Sequence, residues 1–147
     1  MEHTEIRELP LSRAGAALAL ARAVFRQYEA PDYPPEGAAE FDRSLQDPAY
    51  LAALRLFGAF RGETLAGMIA TRDGGRHIAL FFVDGAYHRQ GIGRQLMAAV
   101  RACAPDGCLT VNASPYAVPV YHRLGFCDTA PEQTVNGLCF TPMHWQG

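Results

Sequence analysis

The spacing of apolar and polar residues changes period several times along the chain, and each change marks an element. Thr4 to Leu9 alternates with a period of two and Pro10 ends it, which predicts a strand. Leu11 to Tyr28 places Leu11, Leu18, Ala21, Val24, Phe25 and Tyr28 at helical spacing, with Ser12 positioned as an N-cap, and predicts a helix. Residues 29–35 contain Pro31, Pro34 and Pro35 and predict a loop. Glu36 to Leu45 predicts a second helix, stopped near Pro48. Leu54 to Phe60 and Thr64 to Thr71 form two apolar strands joined by the hairpin signal Arg61-Gly62-Glu63. Asp73-Gly74-Gly75 turns the chain into Ile78 to Val83, whose unbroken apolar run predicts a central strand buried on both faces. A polar turn from Gly85 to Gly93 follows. Ile92, Leu96, Ala99, Val100 and Cys103 then mark a helix that Pro105 ends. Leu109 to Asn112 predicts a short strand and Pro115 to Leu124 a short helix. Phe126 to Trp145 predicts two antiparallel strands around Asn136-Gly137. The order points to an α+β, or mixed α/β, fold: a mostly antiparallel sheet of about seven strands flanked by about four helices.

Composition narrows the chemistry. The 147 residues suit one domain, residues 1–147, with a real core. All 13 basic residues are arginine, so the chain has no lysine. That excludes a Walker phosphate loop and any lysine Schiff base, although a codon bias accounts for the absence most simply. The net charge of −2 offers no cationic excess for a polyanion, so nucleic acid is not an expected partner. The four cysteines, Cys103, Cys108, Cys127 and Cys139, form no C-x-x-C pair and the histidines are scattered, so no metal site is expected. Met1-Glu2-His3-Thr4-Glu5 does not read as a signal peptide, and no apolar run nears the roughly 20 residues that cross a bilayer. The expectation is a cytoplasmic protein with free thiols and no membrane partner.

The strongest local signal is the segment from Val83 to Arg94. A buried strand runs into a turn carrying Gly91 and Gly93, and the turn opens a helix with no side-chain cap before it. Glycines allow close backbone approach, the helix N-terminus is the positive end of a dipole, and Arg89 and Arg94 flank the turn. The combination points to a bound diphosphate. A dinucleotide fingerprint fits poorly, because Leu96 stands at the third glycine position and no parallel βαβ unit begins the chain. A purely structural turn is the other competing explanation.

His88-Arg89-Gln90-Gly91-Ile92-Gly93 resembles the pyrophosphate-binding motif of the GNAT superfamily of acetyl-coenzyme A-dependent N-acetyltransferases, and the lead-in Val83-x-x-x-Tyr87 fits it too. His88 departs from the usual Gln or Arg, and Gly85 stands where proline is frequent. A second stretch, Asn112 to Phe126, is similar to the family's strand-helix segment, with Ala117, Tyr121 and Gly125-Phe126 in its register. The element order resembles that fold over nearly the whole chain.

The resemblance implies acetyl transfer from acetyl-CoA to a primary amine of a small molecule or peptide, by direct attack in a ternary complex. It implies that His88, Arg89, Gln90, Gly91, Ile92, Gly93 and Arg94 hold the cofactor's pyrophosphate. The backbone near Phe82 and Val83 would face the thioester, where the neighbouring strands part. Asn112, Ser114, Ala117 and Tyr121 would complete the cofactor site, with Tyr121 as the acid that protonates the leaving thiolate. The family's strand carboxylate is missing from Ile78 to Val83. His77 and Asp84 flank that strand, a water chain is a further route, and the base is unassigned. From Tyr28 to Asp47 the acids Glu29, Asp32, Glu36, Glu40, Asp42 and Asp47 surround one base, Arg43. With Tyr28 and Tyr33 as substrate-binding residues they would form an acidic, aromatic rim for a cationic amine, or simply a solvated face. A non-catalytic acyl-CoA-binding module is the alternative function, and a homodimer is left open.

Overall fold

The computed structural model describes residues 3–147. Eight strands form one sheet: β1 (Thr4–Leu9), β2 (Arg55–Arg61), β3 (Thr64–Arg72), β4 (His77–Val83), β5 (Cys108–Ala113), β6 (Cys127–Asp128), β7 (Gln133–Val135) and β8 (Leu138–Gln146). Five α-helices accompany them: α1 (Gly15–Val24), α2 (Pro35–Ser44), α3 (Pro48–Ala52), α4 (Ile92–Ala102) and α5 (Val118–Arg123). The strand order is β1-β2-β3-β4-β5-β8-β6, with β7 paired to β8. Every pairing is antiparallel except β4 with β5, as the period pattern predicts for most of the sheet.

Helices cover both faces. Ile92, Leu96, Met97 and Val100 form the buried stripe of α4 and pack with Phe57, Ile69, Val111 and Tyr121. On the other face Ala14, Ala17 and Ala21 are fully buried, and such small side chains let α1 lie close to Met68, Ala70 and Leu80. Among the described residues no helix is long and apolar enough to cross a membrane.

Several expectations are corrected. The predicted helix from Leu11 to Tyr28 is broken. A 3-10 turn at Leu11–Arg13 precedes α1, Ser12 caps nothing, and the chain widens into a π turn at Phe25–Glu29 before a 3-10 turn at Ala30–Asp32. Pro31 has no N–H to extend an α-helical ladder, so the chain must leave it here. α2 stops at Ser44, before Pro48, and Pro48 instead starts a helix: it fills the first position of α3, and the Asp47 carboxylate accepts from the Ala49 N–H at 3.0 Å. The tail contains β6 in addition to the hairpin of β7 and β8, and Phe126 lies outside both, buried against α5. Asn136 and Gly137 at the hairpin tip have φ of 53° and 78°, the left-handed pair that a two-residue turn requires.

The strand β4 is not buried on both faces. Ile78, Leu80 and Phe82 are buried, whereas Ala79, Phe81 and Val83 are partly exposed. The reason lies in its neighbours. Ala70 of β3 faces Leu80 and Thr71 faces Ile78, so Ala79 is a bulge. On its other side β4 pairs with β5 only at His77–Thr110 and Ile78–Val111. Beyond Ile78 the two strands part and leave a gap in mid-sheet.

Candidate active site

Two cavities open at this gap. A loop cavity of about 370 Å³ is lined by Val83, His88, Arg89, Gly91, Ile92 and Gly93 from the glycine turn, by Tyr28, and by Tyr116 and Val120 near α5. A long cavity of about 460 Å³ runs along the opposite side of β4, past Ile78, Leu80, Tyr33, Tyr50 and Arg72. The two share Glu29, Phe81, Phe82, Ala117 and Tyr121.

The glycine turn has the features of an anion site. Gly91 is the N-cap of α4 with φ of 80°, a conformation natural to glycine, and no side chain caps the helix. The amides of Gln90, Gly91, Ile92 and Gly93 have no acceptor among the described residues. Four orphan donors at the positive end of a helix suit a pyrophosphate. Arg89 joins them at φ of 64° and lines the loop cavity. Gln90 and Arg94 are exposed and line neither cavity, and the Gln90 amide group donates to the Ala86 carbonyl at 3.4 Å. His88 turns inward: its Nε2 donates to the Val83 carbonyl at 2.8 Å, which ties the turn to the end of β4.

Tyr28 belongs with this turn and not with the acceptor rim expected for it. Its ring lies 5.2 Å from His88 and 5.5 Å from Tyr116, and it lines the loop cavity alone. A Cβ at Gly85 would sit 2.2 Å from the Tyr28 hydroxyl. The missing proline at Gly85 and the presence of Tyr28 are therefore one feature, because the phenol fills the space.

Around the shared wall the picture changes most. Glu29, seen in the sequence as one of six acids, is carried into the gap by the π turn. Its carboxyl is withdrawn from solvent, which pushes its pKa up from 4.5 to about 7; a hydrogen bond with Ser114 opposes the shift and the charge of Asp32 adds to it. Ser114 also holds the Tyr33 phenol down, but burial pushes it well upward, and the Tyr33 hydroxyl donates to the Cys139 carbonyl at 3.2 Å. Tyr33, Ser114 and Asn112 line the long cavity and not the loop cavity. Tyr121 is buried, with its ring 5.9 Å from Phe81 and 5.2 Å from Phe126. Burial first, and then the Glu29 charge, push its phenol far above the usual value, so it stays protonated at neutral pH.

The other suggested bases stand elsewhere. His77 hydrogen-bonds Thr110 through Nδ1 at 2.8 Å, at the opposite end of β4 from Phe82, and lines neither cavity. The Asp84 carboxylate accepts from the Ala86 N–H at 2.9 Å and shapes the turn. Of the remaining acids, Asp42 lies 3.5 Å from Arg22 and 3.4 Å from Arg26, Glu40 pairs with Arg43, and Asp47 caps α3. The solvated-face explanation therefore suits Asp42 and Asp47, while Glu29 and Glu40 line the long cavity.

A family model described as an acetyltransferase (GNAT) domain matches residues 29–146. No curated protein matches this chain. Solved structures share its fold. A GCN5-related N-acetyltransferase from Rhodopseudomonas palustris is 24% identical with a TM-score of 0.82, the match covering 99% of this chain and 97% of that one. The PaiA N-acetyltransferase from Thermoplasma acidophilum, in complex with coenzyme A, is 19% identical with a TM-score of 0.75 over 99% of both chains. YjaB from Escherichia coli is 20% identical with a TM-score of 0.75 over 97% of both. With the parted strands, the uncapped glycine turn and a family match over most of its length, this chain belongs to the GNAT acetyltransferase family.

Proposed function

We propose that the chain transfers an acetyl group from acetyl-CoA to a primary amine by direct attack in a ternary complex. The observation that carries this reading is the shared wall. A cavity beside an anion-binding turn and a second cavity meet only at Glu29, Phe81, Phe82, Ala117 and Tyr121. Two substrates entering from opposite sides would touch there and nowhere else.

Acetyl-CoA supplies the thioester, an activated acetyl group with a thiolate as leaving group. The turn amides from Gln90 to Gly93, with Arg89, fit its pyrophosphate. Glu29 accepts the proton that the amine nitrogen loses as the C–N bond forms and the C–S bond breaks. A carboxylate with a pKa of about 7 is well matched to that task near neutrality. Ser114 beside it limits how far that pKa rises. Tyr121 places a protonated phenol at the same wall and donates its proton to the departing sulfur. A thiolate generated beside a buried phenol is itself poorly solvated and binds a proton more avidly than in water. Solvent then returns a proton to Tyr121 and takes one from Glu29.

Thiol release from acetyl-CoA, measured with a panel of amines, tests the reading. Turnover with at least one amine is expected, together with thermal stabilisation by acetyl-CoA and not by NAD or ATP. Stabilisation without thiol release from any amine would instead indicate a non-catalytic acyl-CoA-binding module.

A further inference from the structure

The long cavity continues well beyond the shared wall, and its far end has a chemistry of its own. Arg72, the last residue of β3, lines that end with Tyr50. Arg72 is half-buried, and its Nε is buried without a hydrogen-bond partner. No ion pair or hydrogen bond engages its guanidinium among the described residues, whereas Arg7, Arg22, Arg26, Arg43, Arg55 and Arg76 each lie against a carboxylate. The Tyr50 phenol is pushed up by its own burial, against the lowering effect of the Arg72 charge, so it too stays a protonated donor. Glu40 lines the same cavity, but Arg43 already holds its carboxylate. Nε itself is closed off from the cavity, so an anion there would be met by the terminal guanidinium nitrogens, which no carboxylate holds among the described residues.

Position sets what kind of anion this is. Arg72 lies four residues along β3 from Met68, which faces Phe82 at the shared wall, so the two ends stand roughly 13 Å apart along the strand. We infer that the acceptor is an elongated primary amine whose far end carries a carboxylate, gripped by Arg72 and Tyr50 while the amine reaches Glu29. One cation with a phenol beside it matches the charge and the two oxygens of a carboxylate. The inference rests on the transferase reading of the long cavity and names its substrate class.

Straight-chain ω-amino carboxylates and their carboxamides, of roughly six to ten carbons to suit that span, provide the test. Each carboxylate is expected to exceed its carboxamide in kcat/KM by at least about tenfold, chiefly through KM. Arg72→Gln is expected to bring the carboxylate down to the level of the carboxamide, and Arg72→Lys to restore part of the preference. Calorimetric binding of the same pairs to the protein with coenzyme A is measured alongside. Turnover of both members of each pair at equal efficiency overturns the carboxylate subsite and leaves the transferase reading standing. Absence of thiol release with every compound counts against the transferase reading instead. The subsite is then judged on binding alone, and a carboxylate held no more tightly than its carboxamide overturns it.

Discussion

In the proposed mechanism Glu29 couples activity to stability. The carboxylate is the form that accepts a proton, so kcat/KM should rise with pH and level off above a midpoint of about 7. Glu29→Gln should remove that limb and lower kcat by roughly a hundredfold, read from pH–rate profiles of both proteins. The sign for stability is opposite. A carboxyl raised from 4.5 to about 7 binds more protons folded than unfolded across that window, so its contribution to stability falls as pH rises through it. Thermal melts at pH 8 should therefore show Glu29→Gln more stable than the parent, by up to about 3 kcal/mol before discounting for residual solvent contact. A variant that is slower yet more stable would mark Glu29 as a strained functional group; a destabilised one would mean that it serves mainly as a structural partner of Ser114. Tyr121→Phe separates two other roles. It should lower the maximal rate at least about tenfold while acetyl-CoA still binds, and an unchanged rate at saturating substrate would remove the proton-donor role.

At the scale of elements, the glycine turn is the most local device in the molecule. Gly91→Ala forces a Cβ into φ of 80°, which should cost about 1 kcal/mol of stability and displace the amides of the first turn of α4. Weakened acetyl-CoA binding, with little change in the affinity for the amine, is the expected result by calorimetry. Locality explains why this turn was legible in the sequence. Its glycines, its uncapped helix start and its spacing from Val83 all lie within a dozen residues. The same holds for the hairpin at Asn136-Gly137 and for most strand boundaries. Glu29 was not legible, because its role depends on the π turn at Phe25–Glu29 and on its approach to Ser114, which lies beyond the end of β5. That Tyr28 would part from Tyr33 and line the loop cavity was not legible for a related reason. An α-helical continuation and a π turn send consecutive side chains in different directions, and only the latter brings Tyr28 against Gly85. Arg72 gave no sequence signal beyond marking the end of a strand; the cavity beside it is assembled from α2, α3, α5, β4, β5, β7 and β8 with the π turn.

Across the whole molecule, the gap beside β4 separates the sheet into two leaves, and bound acetyl-CoA would touch both. Binding at a concentration about a hundredfold above Kd should add about 2.7 kcal/mol of apparent stability, a rise in Tm of roughly 5–10 °C for a chain of this size. Hydrogen exchange should slow at both β4 and α5 in the same experiment; protection confined to the glycine turn would mean that the ligand does not bridge the gap. The parallel pairing at His77–Thr110 and Ile78–Val111 has a consequence for how the chain reaches this state. Strands β1 to β4 and strands β5 to β8 are each one uninterrupted stretch of sequence, and within each stretch pairing is antiparallel. The β2–β3 and β7–β8 hairpins close short loops, whereas β4 and β5 meet only after α4 has been spanned. Loop-closure entropy places that junction after the two hairpins, as it does the β1–β2 pairing, which spans α1 to α3. The proposed reaction centre thus stands where two separately paired stretches of the chain meet, and the contact that joins its two cavities should form only after the hairpins on either side of it.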